Sequence, residues 1–206
     1  MGSVARLVRR LRCGRPIVVV SGLPRSGTSM MMQMLQAGGV PILTDARRAP
    51  DDSNPGGYLE LEAVKDLDKG ARVPWLAAAR GKAVKVVSPL VGFLPGTFDY
   101  QVIFMERDLD EVMVSQGRML TARGAPPDER QDEHVRRRYQ AHVEDTLRRL
   151  RARRSVSLLV VNYAEALARP EDTARRVDLF LGGGLDVGRM AMAVDPALHR
   201  NRRSSG

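Results

Sequence analysis

A single cysteine in 206 residues, Cys13, excludes an internal disulfide framework and a cysteine-built zinc site, and fits a reducing compartment. Aromatic residues are scarce at 4%, with no cluster on which bases can stack, which weighs against single-stranded nucleic acid as the partner. No apolar run approaches the length of a membrane-crossing helix. Acids are also short relative to bases: 24 Asp and Glu face 33 Lys and Arg, a net charge of +9. Such a balance favours an anionic partner, whether nucleic acid, a phosphorylated small molecule or an acidic membrane surface. What is present, 43% hydrophobic and 28% charged residues over this length, suits one soluble domain with a substantial core.

The first sixteen residues carry Arg6, Arg9, Arg10, Arg12 and Arg15 and no acid, yet no apolar stretch with a small-residue cleavage site follows. Arg6 stands where a myristoylation motif needs Ser or Thr. Residues 1–15 therefore read as a solvated basic arm ahead of a single α/β domain over 16–206, in a cytoplasmic protein.

The β-branched run at 16–21 reads as a buried strand, and the unbranched, methionine-rich run at 28–37 as a helix stopped by Gly38 and Gly39. Residues 40–43 have the pattern of a second short strand. An Asp-, Asn-, Pro- and Gly-rich loop follows at 45–57, a place where function concentrates. Helical patterns at 58–68 and 74–80 precede strands at 83–87 and 101–105. Asp108 and Glu111 have capping-box spacing for a helix at 109–121. A Pro-Pro break at 126–127 leads into a long charged helix at 128–153, where arginines and acids are mixed as on a solvated face. A last strand at 157–161 and a helix at 170–181 complete the pattern. Strands alternating with helices predict a parallel β-sheet flanked by helices on both sides.

Between the first strand and the first helix lies Gly22-Leu-Pro-Arg-Ser-Gly27-Thr28-Ser29. Backbone N–H groups and the helix dipole favour an anion at such a junction, and the two glycines permit the backbone to wrap a phosphate. The spacing is that of a Walker A loop, but Thr28 replaces its lysine and the cation has moved to Arg25. An ATP- or GTP-using enzyme also needs an acid for Mg²⁺, and Glu106 is the local substitute. Arg107 lies at the carboxyl end of a predicted strand, the edge where open α/β sheets bind ligands. Ser115, two helical turns beyond Asp108, returns to the same flank of the helix. One cation and one hydroxyl in that arrangement can hold a second phosphate.

At these two motifs the sequence resembles the PAPS-dependent sulfotransferases. Pro24-Arg25-Ser26-Gly27-Thr28-Ser29 is similar to the family's donor-binding loop, and Arg107 with Ser115 eight residues later to its second signature. Lys85, the 93–98 stretch and the segment from Asn162 and Tyr163 to Leu181 extend the resemblance over about 17–181. The resemblance implies a P-loop nucleoside triphosphate hydrolase-like fold. It also implies PAPS as donor, PAP as product, no metal, and a small-molecule or carbohydrate acceptor sulfated on a hydroxyl or amine. By the same resemblance Pro24, Arg25, Ser26, Gly27, Thr28 and Ser29 cradle the 5′ end, Arg107 and Ser115 read the 3′-phosphate, and Tyr163 lies near the adenine. Arg25 and Lys85 are then the cations facing the departing bisphosphate.

The acceptor side departs from the best-known pattern. Val86-Val87-Ser88 occupies the stretch where cytosolic small-molecule members carry a histidine base, and His134, His142 and His199 all lie elsewhere. Branches acting on carbohydrates or protein tyrosine use a glutamate after the first helix, which makes Glu60 the candidate base, with Glu62 and Asp45 as alternates. A solvated carboxylate is a weak base, so the role calls for burial. Glu60 can equally be read as an acid favoured by a helix N-terminus. Arg200, Arg202 and Arg203 stand where the family closes a basic loop over the 3′-phosphate, and can equally be an exposed tail. Two other readings compete: an ATP- and Mg²⁺-dependent small-molecule kinase, which the missing Walker lysine disfavours, and a non-catalytic polyanion-binding protein, whose binding is strongly salt-sensitive.

Overall fold

The computed structural model describes residues 14–45, 57–70, 73–122 and 133–195. The basic arm through Cys13, most of the 45–57 loop, the Pro-Pro break, the first turn expected of the long helix, and His199 with the C-terminal arginines lie outside the described residues. Strand β1 (Ile17–Gly22) is buried along its whole length. Its side chains alternate between two cores, Val18 and Val20 packing on one face of the sheet and Ile17 and Val19 on the other. Burial on both faces is why this strand reads as a continuous apolar run.

Three further strands, β2 (Ala83–Lys85), β3 (Tyr100–Glu106) and β4 (Val156–Asn162), complete an all-parallel sheet in the order β2-β1-β3-β4. Helix α1 (Thr28–Ala37) covers one face with Met31, Met32, Met34 and Leu35, joined there by α6 (Tyr163–Ala168), α7 (Pro170–Leu181) and α8 (Val187–Met192). The other face is covered by a 3-10 helix (Glu62–Lys69), α2 (Trp75–Ala78), α3 (Ser88–Val91) and the inner side of α5 (Glu133–Ala152), with Val64, Leu76, Val91, Leu147 and Leu150 in the core. Helix α4 (Leu109–Ala122) leaves β3 within three residues of its end.

Several elements differ from the sequence reading. Residues 40–43 form one isolated bridge, Ile42 to Ala83, in place of a strand. The 58–68 helix contracts to the 3-10 helix. Strand β2 stops at Lys85 because Pro89 fixes the start of α3, which with α8 is too short to show a helical period.

Strand order places the site. After β1 the chain moves outward to β2, and after β3 it moves the opposite way to β4, so the carboxyl ends of the adjacent strands β1 and β3 open into a crevice. Gly22 lies in register with Met105. The glycine loop and Arg107 therefore leave the sheet side by side.

Candidate active site

The loop from Gly22 to Gly27 is shaped by close approach. A Cβ on Gly22 would sit 2.4 Å from Ser26 Oγ and 2.6 Å from the Met105 carbonyl oxygen. Gly27 has φ 97°, and a Cβ there would lie 2.4 Å from Cδ2 of Tyr163. Arg25 adopts φ 71°, a left-handed conformation uncommon outside glycine. The Ser26 amide donates to the Leu23 carbonyl at 3.1 Å to close the turn, and α1 starts at once, with the Met31 amide donating to the Gly27 carbonyl at 3.1 Å. Pro24 is exposed, Ser29 is half-buried, and Ser26 and Thr28 are buried.

Two arginines meet beside this loop. Arg25 Nε donates to Ser115 Oγ at 2.9 Å. Arg107 Nη1 donates to the Arg25 carbonyl at 3.1 Å, its Nε donates to Glu111 Oε2 at 2.9 Å, and its guanidinium lies 4.3 Å from the centre of the Tyr163 ring. Arg107 is 7% exposed, so the Glu111 carboxylate offsets a charge that is otherwise costly to bury. Glu111 thus turns to Arg107. The cap of α4 is supplied by Asp108 Oδ1, which accepts from the Asp110 and Glu111 amides at 2.9 and 3.2 Å, one half of the expected capping box. Burial pushes the Tyr163 phenol above its ordinary range; Arg107 and Arg25 act against this shift and Glu111 with it.

Ser26 Oγ and Arg107 Nη2 are buried without a hydrogen-bond partner. Buried polar atoms are normally satisfied, and an anion in the crevice would satisfy both. Two glycines that admit no side chain and two orphaned donors are the features of this crevice that would suit an anionic ligand.

The third grouping centres on Lys85, at the end of β2. Its Nζ donates to Ser29 Oγ at 3.0 Å, to the Tyr58 carbonyl at 3.0 Å and to Glu60 Oε1 at 3.2 Å. The lysine side chain is 6% exposed and the Glu60 side chain 35% exposed, so Lys85 is buried and Glu60 half-buried. Between Tyr58 and Glu60, Leu59 has φ 49°, a left-handed corner that costs about 1–3 kcal/mol for a residue of this kind. The corner lets a carbonyl and the carboxylate two residues later converge on one ammonium group. The alternates are engaged elsewhere: Asp45 Oδ2 accepts from the Glu62 amide at 2.8 Å, and Glu62 pairs with Lys65 at 2.8 Å on the surface.

Sequence reasoning read Glu111 as a cap and missed its pairing with Arg107, and it missed Leu59 and Thr44, the last donating from Oγ1 to the Glu60 carbonyl at 2.7 Å. It also left His142 without a place. Its Nε2 lies 2.9 Å from Ser88 Oγ, and burial lowers its pKa, against a smaller opposing effect of Asp145. Only the fold brings these residues to their partners, and apart from the capping-box spacing of Glu111 no local pattern marks them.

No protein-family model matches the sequence, and no curated protein sequence matches it. Solved structures do. The sulfotransferase domain of the Synechococcus PCC 7002 olefin synthase is 18% identical at a TM-score of 0.52, over 91% of this chain and 86% of that one. The sulfotransferase domain from the curacin biosynthetic pathway is 12% identical at 0.52, over 94% of both chains. The mouse sulfotransferase SULT7A1, complexed with PAP, is 15% identical at 0.53, over 93% of this chain and 68% of that one. At these identities the likeness shows the fold, a parallel, helix-flanked P-loop-like sheet of the kind that sulfotransferases carry.

Proposed function

We propose that the chain is a PAPS-dependent sulfotransferase that moves a sulfuryl group from PAPS to a hydroxyl or amine of a small-molecule or carbohydrate acceptor. The observation that carries this reading is the pair of adjacent anion sockets at one crevice. One is the Gly22–Gly27 loop with the orphaned Ser26 hydroxyl, and the other is Arg107 with its orphaned Nη2, whose Nη1 holds the carbonyl of Arg25, the residue that in turn donates to Ser115. A donor with a 5′-phosphosulfate and a 3′-phosphate has two separated anions to fill them, whereas a nucleoside triphosphate has one phosphate chain. Resemblance of the fold to sulfotransferases, one of them complexed with PAP, supports the same reading.

When bound, PAPS supplies an activated sulfuryl group whose bond to the phosphate oxygen breaks as the acceptor oxygen or nitrogen bonds to sulfur. Ser26, Gly27, Thr28 and Ser29, with the exposed Pro24 fixing the turn, offer backbone and hydroxyl donors to the 5′ end. Arg107 and Ser115 read the 3′-phosphate, and Tyr163, under Arg107, flanks the nucleoside. Arg25 would meet the oxygen that leaves with the phosphate, and Lys85, whose three N–H groups go to Ser29, Tyr58 and Glu60, would add its positive charge beside it through Ser29. Glu60 takes the acceptor's proton. Lys85 keeps that carboxylate oriented, and both carboxylate and ammonium are shielded enough for the pairing to count.

Transfer from labelled PAPS across an acceptor panel tests the proposal, with Glu60→Gln alongside. The expected result is metal-independent transfer by the native chain, a loss of about 100-fold or more in the variant, and PAP affinity within about twofold in both. Magnesium-dependent ATP binding with none for PAP would sink the reading in favour of a kinase.

A further inference from the structure

The residues around Glu60 are held in a way that the proposed chemistry does not by itself require, and the clamp begins outside the donor site. Residues 40–45 run beside β2 as a rudimentary edge: Ala83 donates from its amide to the Pro41 carbonyl at 2.8 Å, and the Leu43 amide donates to the Ala83 carbonyl at 2.8 Å. The next two residues reach across to the segment that carries Glu60. Thr44 Oγ1 and the Asp45 amide both donate to the Glu60 carbonyl, at 2.7 and 3.3 Å, and Asp45 Oδ2 accepts from the Glu62 amide at 2.8 Å. On the other side of Glu60 stands the left-handed Leu59.

We propose that Thr44 is a positioning residue for Glu60. With Leu59 fixing the peptide before Glu60 and the Thr44 hydroxyl fixing the carbonyl after it, the direction of the Glu60 Cα–Cβ bond is set. The side chain is then left to close on Lys85 Nζ at 3.2 Å. A left-handed leucine persists only where its surroundings over-determine it, and the two donors on the Glu60 carbonyl supply that restraint. Thr44 itself is referred to the sheet through Leu43 and Ala83, so the proposed base is tied by a short chain of hydrogen bonds to the strand that carries Lys85. Placement of a proton acceptor is worth large factors in rate, since a displacement of about 1 Å can cost about 100-fold.

The inference rests on the proposed role of Glu60, and the experiment separates the two. Thr44→Val keeps the shape and removes the hydroxyl; Thr44→Ser keeps the hydroxyl. Turnover, PAPS KM, PAP affinity by calorimetry and amide hydrogen exchange over 58–62 are measured for both variants and for Glu60→Gln. Thr44→Val is expected to lower kcat by about 10- to 100-fold, with KM for PAPS and PAP affinity within about twofold, and to speed exchange over 58–62. Thr44→Ser is expected to restore both kcat and slow exchange. Native kcat with native exchange in Thr44→Val, equal impairment of Ser and Val, or a parallel fall in PAP affinity each overturns the positioning role. If Glu60→Gln is inactive while Thr44→Val turns over normally, the role of Thr44 fails alone; full activity of Glu60→Gln removes the base itself, and Thr44's role with it.

Discussion

At Gly27 three requirements meet. The backbone is left-handed, the space above the Cα is filled by the Tyr163 ring, and α1 starts at the next residue. Adding one methyl group therefore forces Tyr163 to move, and Tyr163 is the surface on which Arg107 lies. Gly27→Ala is expected to weaken PAP by about tenfold or more, equivalent to about 1.4 kcal/mol, in a calorimetric titration. PAP affinity equal to the native value would show that the loop is looser than its contacts imply. The glycine was readable in the sequence, since two glycines at Walker spacing between a strand and a helix have a physical purpose. Thr44 and Leu59 were not readable. A threonine on a loop is unremarkable until its hydroxyl is seen on the Glu60 carbonyl, and no local pattern predicts a leucine at positive φ. On paper Glu60 was the candidate with Glu62 and Asp45 as alternates, and tertiary contacts separate Glu60, which faces Lys85, from the two that cap and pair at the surface.

Among the elements, legibility follows length and burial. Strand β1 and helices α1 and α7 announce themselves by β-branched runs, unbranched apolar residues and glycine stops. Helices α3 and α8 span four and six residues and carry too few turns for a period to show. In α5 the sequence showed mixed charge, and the structure pairs Arg137 with Glu133 at 3.2 Å and Arg149 with Asp145 at 2.6 Å along an exposed face. Such pairs contribute little each. A part-buried polar contact of α5, His142 on Ser88, has a pH-dependent consequence for stability. Burial holds the His142 pKa below the ordinary histidine value of 6.5, so the unfolded chain binds its proton more readily. The contribution is intact above pH 6.5 and is lost as pH falls from there through the lower folded value. Denaturant unfolding of native chain and His142→Gln is expected to show a stability gap that narrows as pH drops below 6.5. A gap that stays constant or widens would contradict this sign.

For the molecule as a whole, the order β2-β1-β3-β4 gathers into one crevice residues that are 90 positions apart, as in the contact of Arg25 with Ser115. The alternation of strands and helices foretold a parallel sheet. Strand order itself had no signature in the chain, because it depends on which faces are buried against which helices. The net charge of +9 first suggests a broad polyanion surface. Yet Arg136, Arg137, Arg149 and Arg176 are paired with acids on the outside, while Arg107 and Lys85 are buried at the strand ends, beside the half-buried Arg25. On the proposed reading, Arg107 forms a 3′-phosphate reader distinct from the glycine loop. Calorimetry with PAP and with adenosine 5′-monophosphate, on the native chain and Arg107→Ala, tests it most directly. The native chain is expected to prefer PAP by about 100-fold, and the variant to lose most of that preference while keeping its affinity for the monophosphate within about twofold. Equal losses for the two ligands would contradict the claim.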